Sequence, residues 1–565
     1  MGTSQVVQKN ILDYVYAHEV QIPDHIYLTQ PTGFGSVTDY TWRQVLDQSR
    51  RMAAHLNSFG FEPGARIAII SNNCAHFILA ELAIWMAGGT TVAIYPTEKK
   101  ETIRYVIEHS EASLLFVGKL DGWAEQYEAV PLNLPCIALP LAPQTHYPSW
   151  DDIVEKTLPL TGHVQRAPED LAMICYTSGS TGHPKGVMHS FGRISDTSVR
   201  IVTFLKSIWG TESDSRVLSY LPLAHVFERA WIECASLVDG DAQIYFTESP
   251  DTFLQDLQRA RPTSFISVPR LWLKFQQGVQ AKLPQETLDH LLDDPETRPA
   301  VARQILQSLG LDQVISASSG SAPIPADLID WYRRLGLNFL EGYGMTEDFA
   351  YSFTSTPEFN AAGCVGVPLP GVEVRFTDEG EILIKSPGQL VGYYKRPDPN
   401  GEVLTEDGFF QTGDKGELQI NGLLKITGRI KENFKTSKGK YVAPAPIENR
   451  FSMHPMVESV MVGGSGHVAP FAYLVLTQEW RCKLDKTPIR SEVVVEMKKL
   501  LLDINADLAH YERLQMIVIA SVPWSIENGC LTPTMKIKRN HIESLIASDV
   551  PGWYTLGQPV IWSNV

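Results

Sequence analysis

The chain has 565 residues, 44% of them hydrophobic, enough for several packed units rather than one small domain. Its formal net charge of −16 argues against nonspecific nucleic-acid binding, which relies on cations to neutralise phosphates, so no nucleic-acid partner is expected. The seven cysteines are an odd, scattered set without CxxC spacing, which reads as reduced residues of a cytoplasmic protein rather than a disulfide frame or a zinc site.

The first ten residues, MGTSQVVQKN, lack the apolar core of a secretory signal, and Val6 stands where a myristoylation site needs Ser or Thr. The longest apolar stretch, Ala75 to Tyr95, is broken by His76, Glu81, Gly88-Gly89 and Thr90-Thr91. Those breaks predict a core helix and strand, not a membrane span. No integral span is expected, while peripheral membrane contact and a homodimer stay open.

Up to about residue 170 the pattern alternates. Strands are predicted at 66–71, 91–95 and 113–117, with helices through Phe77–Met86 and Glu101–His109. That βαβαβ order implies parallel pairing under covering helices. The next apolar run, Leu171–Tyr176, opens into Tyr176-Thr-Ser-Gly-Ser-Thr-Gly-His-Pro-Lys-Gly-Val-Met188, and a helix is predicted from His189 to Ile208. Backbone N–H groups and hydroxyls in such a loop suit phosphate oxygens, with Lys185 adding a mobile cation. It is not a Walker loop: Pro184 replaces the glycine before the lysine, and Gly186 replaces the Mg²⁺-binding hydroxyl.

Alternation resumes with strands at 217–221, 242–246 and 263–268, then helical sequence from Arg270 to Leu309. Near Gly363 the chain turns to short alternating segments joined by glycines, including the hairpin signal Asn421-Gly422. Beyond Arg429 a shorter α+β pattern follows. The expected fold class is α/β: a large N-terminal domain (1–430) of stacked α/β sheets with a β-rich subdomain (about 363–430), then a small α+β C-terminal domain (431–565).

Further polar stretches carry candidate chemistry. Ser319-Gly-Ser-Ala-Pro323 and Leu340-Glu-Gly-Tyr-Gly-Met-Thr-Glu347 form a loop pair in which Tyr343 offers a flat face and Glu347 a carboxylate for a cation. Asp414 offers two oxygens that suit a diol. Clustered lysines at 431–440 read equally as a solvated face or as phosphate contacts. The run Glu527–Lys536 is turn-rich.

In order and spacing these stretches closely resemble the acyl-adenylate-forming (AMP-binding) superfamily along nearly the whole chain. Val268–Lys274, Leu221–His225 and the ENGCLTPTMKIKR ending look like long-chain fatty acyl-CoA synthetases. The resemblance implies ATP, Mg²⁺ and CoA as co-substrates and cofactor, with a fatty acid as substrate. Thr177, Ser178, Gly179, Ser180, Thr181, Gly182 and Lys185 would enclose the β- and γ-phosphates, with Thr177 and Glu347 near Mg²⁺. Gly320, Ser321, Ala322, Pro323, Glu341, Gly342 and Tyr343 would line the adenine, and Thr346 the α-phosphate. Asp414 would take the ribose hydroxyls beside Arg429. Lys431 would sit at a domain hinge, Lys435 near nucleotide in one domain arrangement, and His225 between acyl and nucleotide sites. Lys536 would be the adenylation lysine.

Departures from the family pattern are Met535, where glycine usually precedes that lysine, the hinge residues Glu432-Asn433-Phe434, and the extra Lys438 and Lys440. Two other functions remain compatible with the sequence: an adenylating enzyme that passes its acyl group to a carrier protein or another acceptor, and a silent nucleotide-binding scaffold.

Overall fold

A computed structural model describes residues 9–177, 183–210, 215–396, 403–484 and 487–564. Its centre is a seven-stranded sheet in the order 392–393, 185–190, 171–177, 90–94, 66–70, 114–117, 136–138. The five strands from 171–177 to 136–138 run parallel, as the alternating sequence predicts. Helix Ala75–Met86 is apolar nearly all round and all twelve residues are buried, so it lies inside the molecule rather than on a face. It ends at Gly88, whose φ of +82° suits glycine. Next to it a Cβ on Gly89 would lie 2.9 Å from Ile84 Cγ2.

A second sheet (264–267, 316–319, 339–343, 353–354, 367–368) and a third (36–41, 26–33, 243–246, 216–219) complete the large α/β part. One core joins the central and third sheets, with Leu28, Ile67, Phe77, Met173 and Ile244 all buried in it. A separate core around Trp272, Tyr332 and Phe339 supports the second. The C-terminal region has its own four-stranded sheet (457–463, 471–476, 517–519, 560–562) and its own cores. The chain is therefore a mixed α/β fold with a large N-terminal and a smaller C-terminal part.

Two expectations need correction. Lys185–Ser190 is a strand, antiparallel to 171–177, and the helix begins only at Phe191. The glycine-rich loop thus joins two strands of a hairpin rather than a strand to a helix. The region 363–430 is also less self-contained than its sequence suggests. Strands 373–376, 381–385, 410–418 and 424–429 form an antiparallel sheet, but 367–368 joins the second sheet and 392–393 the central one. Among the described residues no helix is long and apolar enough to cross a membrane. All seven cysteines are free, with only Cys482 exposed.

Candidate active site

The glycine-rich loop is gripped at both ends by one face of helix Lys100–Ser110. Tyr105 and His109, four residues apart, share that face. His109 Nδ1 is 2.8 Å from the Tyr176 hydroxyl on one side of the loop. On the other side Tyr105 stacks on His183 with ring centroids 4.5 Å apart, and its hydroxyl donates to the Pro184 carbonyl (3.3 Å). Ser178, Gly179, Ser180, Thr181 and Gly182 lie outside the described residues. Thr177 and Lys185 face each other across the hairpin. The Lys185 ammonium is 5.1 Å from the ring centroid of Tyr393.

The two polar loops predicted to work together leave adjacent parallel strands, with Ser319 paired to Glu341. Gly320 is packed so closely that a Cβ would lie 3.3 Å from the Phe227 ring, and Ser321 holds a left-handed φ of +69°. Such a backbone at a non-glycine residue costs energy and clusters at ligand sites. Ala322 and Pro323 are exposed. Glu341 turns inward instead: its Oε2 accepts the Gly363 N–H (3.0 Å), and burial pushes its pKa up to about 8. Its side chain therefore braces the loop, and Gly342 and Tyr343 continue the strand toward the cleft.

Tyr343 donates to Asp414 Oδ2 (2.7 Å), and Arg429 Nε donates to Oδ1 (2.6 Å). Asp414 pushes the Arg429 guanidinium pKa further above its already high range. Asp414 and Arg429 are partners across the antiparallel ladder, which fixes this pair. The Met345–Ser352 turn wraps around Asp348, whose carboxylate accepts the N–H groups of Met345 (2.9 Å) and Tyr351 (3.2 Å) and the Ser352 hydroxyl. Within that turn the Thr346 carbonyl accepts from His189 Nε2 (2.9 Å). Glu347 Oε1 accepts the Tyr393 hydroxyl (2.8 Å).

His225 caps a short helical turn, its Nδ1 accepting the Phe227 N–H (3.2 Å). That leaves Nε2 as the protonated nitrogen of a neutral ring. Burial drives its pKa down to about 3, and the Lys536 charge acts the same way. The turn is held from beneath: Asn73 donates to the Leu221 carbonyl (2.7 Å) and accepts the Leu223 N–H (3.0 Å), while Arg229 donates to the Leu223 carbonyl (3.3 Å). Arg229 opens a π-helical stretch, Arg229–Cys234, and is buried against Glu81 and Glu233. Such π-turns recur at functional sites.

Lys536 arrives from the C-terminal part on a tight hairpin, its N–H bonded to Thr532 Oγ1 (3.0 Å). Met535 before it takes a φ of +61°, the conformation glycine favours. Lys536 is exposed as a residue, while surrounding protein desolvates its ammonium. That enclosure pushes its pKa below the usual lysine range, with Arg429 acting the same way and Asp414, Glu432 and Glu347 opposing. The charges around it are therefore mixed, one guanidinium against three carboxylates. Lys431 and Lys435 stand apart. Lys431 is exposed in the turn after Arg429, and the Lys435 ammonium lies 5.5 Å from the Tyr441 ring centroid.

Comparison with known proteins gives the family and the fold. The family model of AMP-binding enzymes matches residues 17–394. The chain belongs to that family. Human long-chain-fatty-acid–CoA ligase 1 is 30% identical, over 91% of this chain and 83% of its own. The long-chain-fatty-acid–CoA ligase FadD15 of Mycobacterium tuberculosis is 29% identical over 96% and 97%. Among solved structures, the adenylation domain of a carboxylic acid reductase from Segniliparus rugosus, in complex with AMP, superimposes with a TM-score of 0.79 at 21% identity, covering 97% and 94%. The o-succinylbenzoate CoA synthetase of Bacillus subtilis gives 0.71 at 22% identity, over 94% and 97%. As an AMP-binding enzyme the chain joins a group whose similar curated members are long-chain acyl-CoA ligases. His189, Asp348, Tyr393 and the Tyr105–His109 pair are the site-building residues that sequence reasoning did not single out. Asp348 alone left a signal, an acid directly beside Glu347.

Proposed function

We propose that this AMP-binding enzyme is an ATP-dependent fatty acid–CoA ligase that forms acyl-AMP and pyrophosphate, then transfers the acyl group to CoA. The observation that carries the reading is the hydrogen-bonded Tyr343–Asp414–Arg429 group, with Lys536 of the C-terminal part in electrostatic reach of Asp414, Arg429, Glu347 and His225. The preference for long acyl chains rests on the relatives, all named for that substrate class.

The chemistry follows from charge. Attack of a carboxylate on the α-phosphate brings anions together, and fixed cations offset that build-up. Lys185 stands beside the phosphate loop, and Lys536 is supplied by the C-terminal part. Asp414, held by Tyr343 and Arg429, presents acceptors for ribose hydroxyls, and the Tyr343 ring is fixed by the same bond. Gly320–Pro323, the Glu341 backbone, Gly342 and Tyr343 supply the adenine walls, and Thr346 the α-phosphate contact. Glu347 and Thr177 offer hard oxygen donors, which fit a Mg²⁺ that shares its shell with phosphates. When bound, that ion would offset phosphate charge. No side chain is needed as a nucleophile, because the substrate carboxylate and the CoA thiolate play that part in turn. We place the division between the parts at residue 430, with Lys431 as hinge and Lys435 approaching nucleotide only in the alternative arrangement.

Pyrophosphate release, measured with and without CoA over acids of increasing length, tests the proposal. Each buried CH₂ contributes about 0.8 kcal/mol, so long-chain acids should exceed acetate by several orders of magnitude in kcat/KM. Equal efficiency on both would remove the long-chain assignment. Adenylation with no CoA thioester formed would instead favour a carrier protein as acceptor.

A further inference from the structure

Tyr393 belongs to none of the sequence motifs above, yet it touches two of them at once. Its two-residue strand, Gly392–Tyr393, is laid antiparallel along 187–188, the arm of the hairpin that carries Lys185. Flanking bonds extend the contact: Val391 N–H donates to the Met188 carbonyl (2.9 Å) and Tyr394 N–H to the Gly186 carbonyl (2.8 Å). The Tyr393 ring lies 5.1 Å from the Lys185 ammonium, and its hydroxyl donates to Glu347 Oε1 at 2.8 Å. The same segment also holds the Glu347 backbone, since Leu390 N–H donates to its carbonyl (2.7 Å). Residues 390–394 thus couple the phosphate-loop lysine to the carboxylate on the facing loop.

We propose that Tyr393 is a positioning residue: its ring places the Lys185 ammonium, and its hydroxyl aims the Glu347 carboxylate at the divalent cation that accompanies ATP. This deepens the adenylation reading and rests on it. The physical reason lies in charge. An ammonium and a carboxylate in one cleft attract each other, and a ring face for the cation with a hydroxyl for the anion gives each a separate neutral partner. A carboxylate that already accepts one bond on Oε1 is also fixed in orientation. Outer partners of this kind typically change metal affinity about 10–100-fold.

Tyr393→Phe removes only the hydroxyl and keeps the ring. The Mg²⁺ concentration for half-maximal acyl-adenylate formation should rise about tenfold or more, with the rate at saturating Mg²⁺ close to wild type. Mn²⁺ binding in the presence of a non-hydrolysable ATP analogue, followed by the electron paramagnetic resonance signal of free Mn²⁺, should weaken by the same factor. Tyr393→Leu removes the ring too and should raise the KM for ATP in addition. Tyr394→Phe, one residue on, whose hydroxyl points away to Glu111 (3.2 Å), should change neither cation dependence. The proposal is overturned if Tyr393→Phe lowers the saturated rate or the melting temperature while leaving Mn²⁺ affinity unchanged, or if it changes nothing. A wild-type protein that bound no Mn²⁺–nucleotide and made no acyl-adenylate would refute the adenylation reading itself.

Discussion

Arg270 in the large part and Glu458 in the small part form an ion pair at 2.8 Å, and the second carboxylate oxygen of Glu458 meets Arg481, its own neighbour, at 2.5 Å. Glu458 therefore keeps a partner if the small part turns away, and only Arg270 is released to solvent. Met453, five residues before Glu458, packs against the large part's second core close by. The pair thus ties the two parts together in the arrangement seen here, and on the proposed hinge motion it would break.

Arg270 is partly exposed, so the pair is worth about 1 kcal/mol or less, a factor of up to about five in the balance between arrangements. Arg270→Gln should slow acyl-adenylate formation by no more than that factor. Thioester formation from supplied acyl-adenylate and CoA should hold or rise. Raised salt should narrow the difference between variant and wild type, because exposed charges are screened. Equal slowing of both half-reactions would mean the pair serves folding instead.

Met535 tests the lysine hairpin. Its left-handed backbone costs a residue with a Cβ about 1–2 kcal/mol, while glycine there adds unfolded-chain entropy of about 0.5–1 kcal/mol. Met535→Gly should thus leave the melting temperature level or slightly raised, with adenylation within about twofold of wild type. Met535→Val places a β-branched residue where it fits poorly and should lose both stability and adenylation. Identical behaviour of the two variants would show that this backbone conformation has no bearing on Lys536.

Glu228 provides a pH test. It is fully buried behind His225, its Oε1 is 3.4 Å from Asn73 Nδ2, and burial raises its pKa to about 8. An unfolded glutamate titrates near 4.3, so between about pH 5 and 8 the folded state holds a proton that the unfolded state has lost. Stability then falls as pH rises through that window, by at most about 1.4 kcal/mol per pH unit. Glu228→Gln removes this group's share: the variant should match wild type at pH 5 and resist urea better at pH 8. Parallel stability profiles for the two proteins would rule the assignment out.

Much of this was legible before any coordinates. The parallel strands at 66–70, 90–94 and 114–117 are mostly apolar and buried, and so is the C-terminal strand at 471–476. Tyr343, Asp414 and Arg429 were singled out separately, and the structure joins them by hydrogen bonds. The strand at 185–190 was not legible. Gly186 weakens its local signal, yet a Cβ there would lie 2.8 Å from Ile174 Cγ2, so close packing on the neighbouring strand demands glycine. Tyr393 escaped for another reason: a two-residue strand has no periodicity, and its pairing partner lies some two hundred positions earlier. Glu341 was assigned to the adenine wall from its motif, whereas its side chain braces Gly363.

Lys536 carries the sharpest prediction. It comes from the C-terminal part, where enclosure and Arg429 lower its pKa and three carboxylates oppose that shift. A cation placed there offsets charge as the substrate carboxylate meets phosphorus, and loss of such a contact typically costs about 10²–10³ in rate. The alternative is an exposed lysine in a basic run with Lys538 and Arg539, where alanine would change little. Once pyrophosphate has left, the second half-reaction has no need of the contact. Lys536→Ala should therefore fail to make acyl-adenylate from ATP while converting supplied acyl-adenylate and CoA to thioester at a near wild-type rate. In the wild type, adenylation should decline with rising pH below the usual lysine range, because the depressed pKa removes the charge earlier. Normal adenylation by the variant, or an equal fall in both half-reactions in a folded protein, would show that Lys536 does not act on the reacting phosphate.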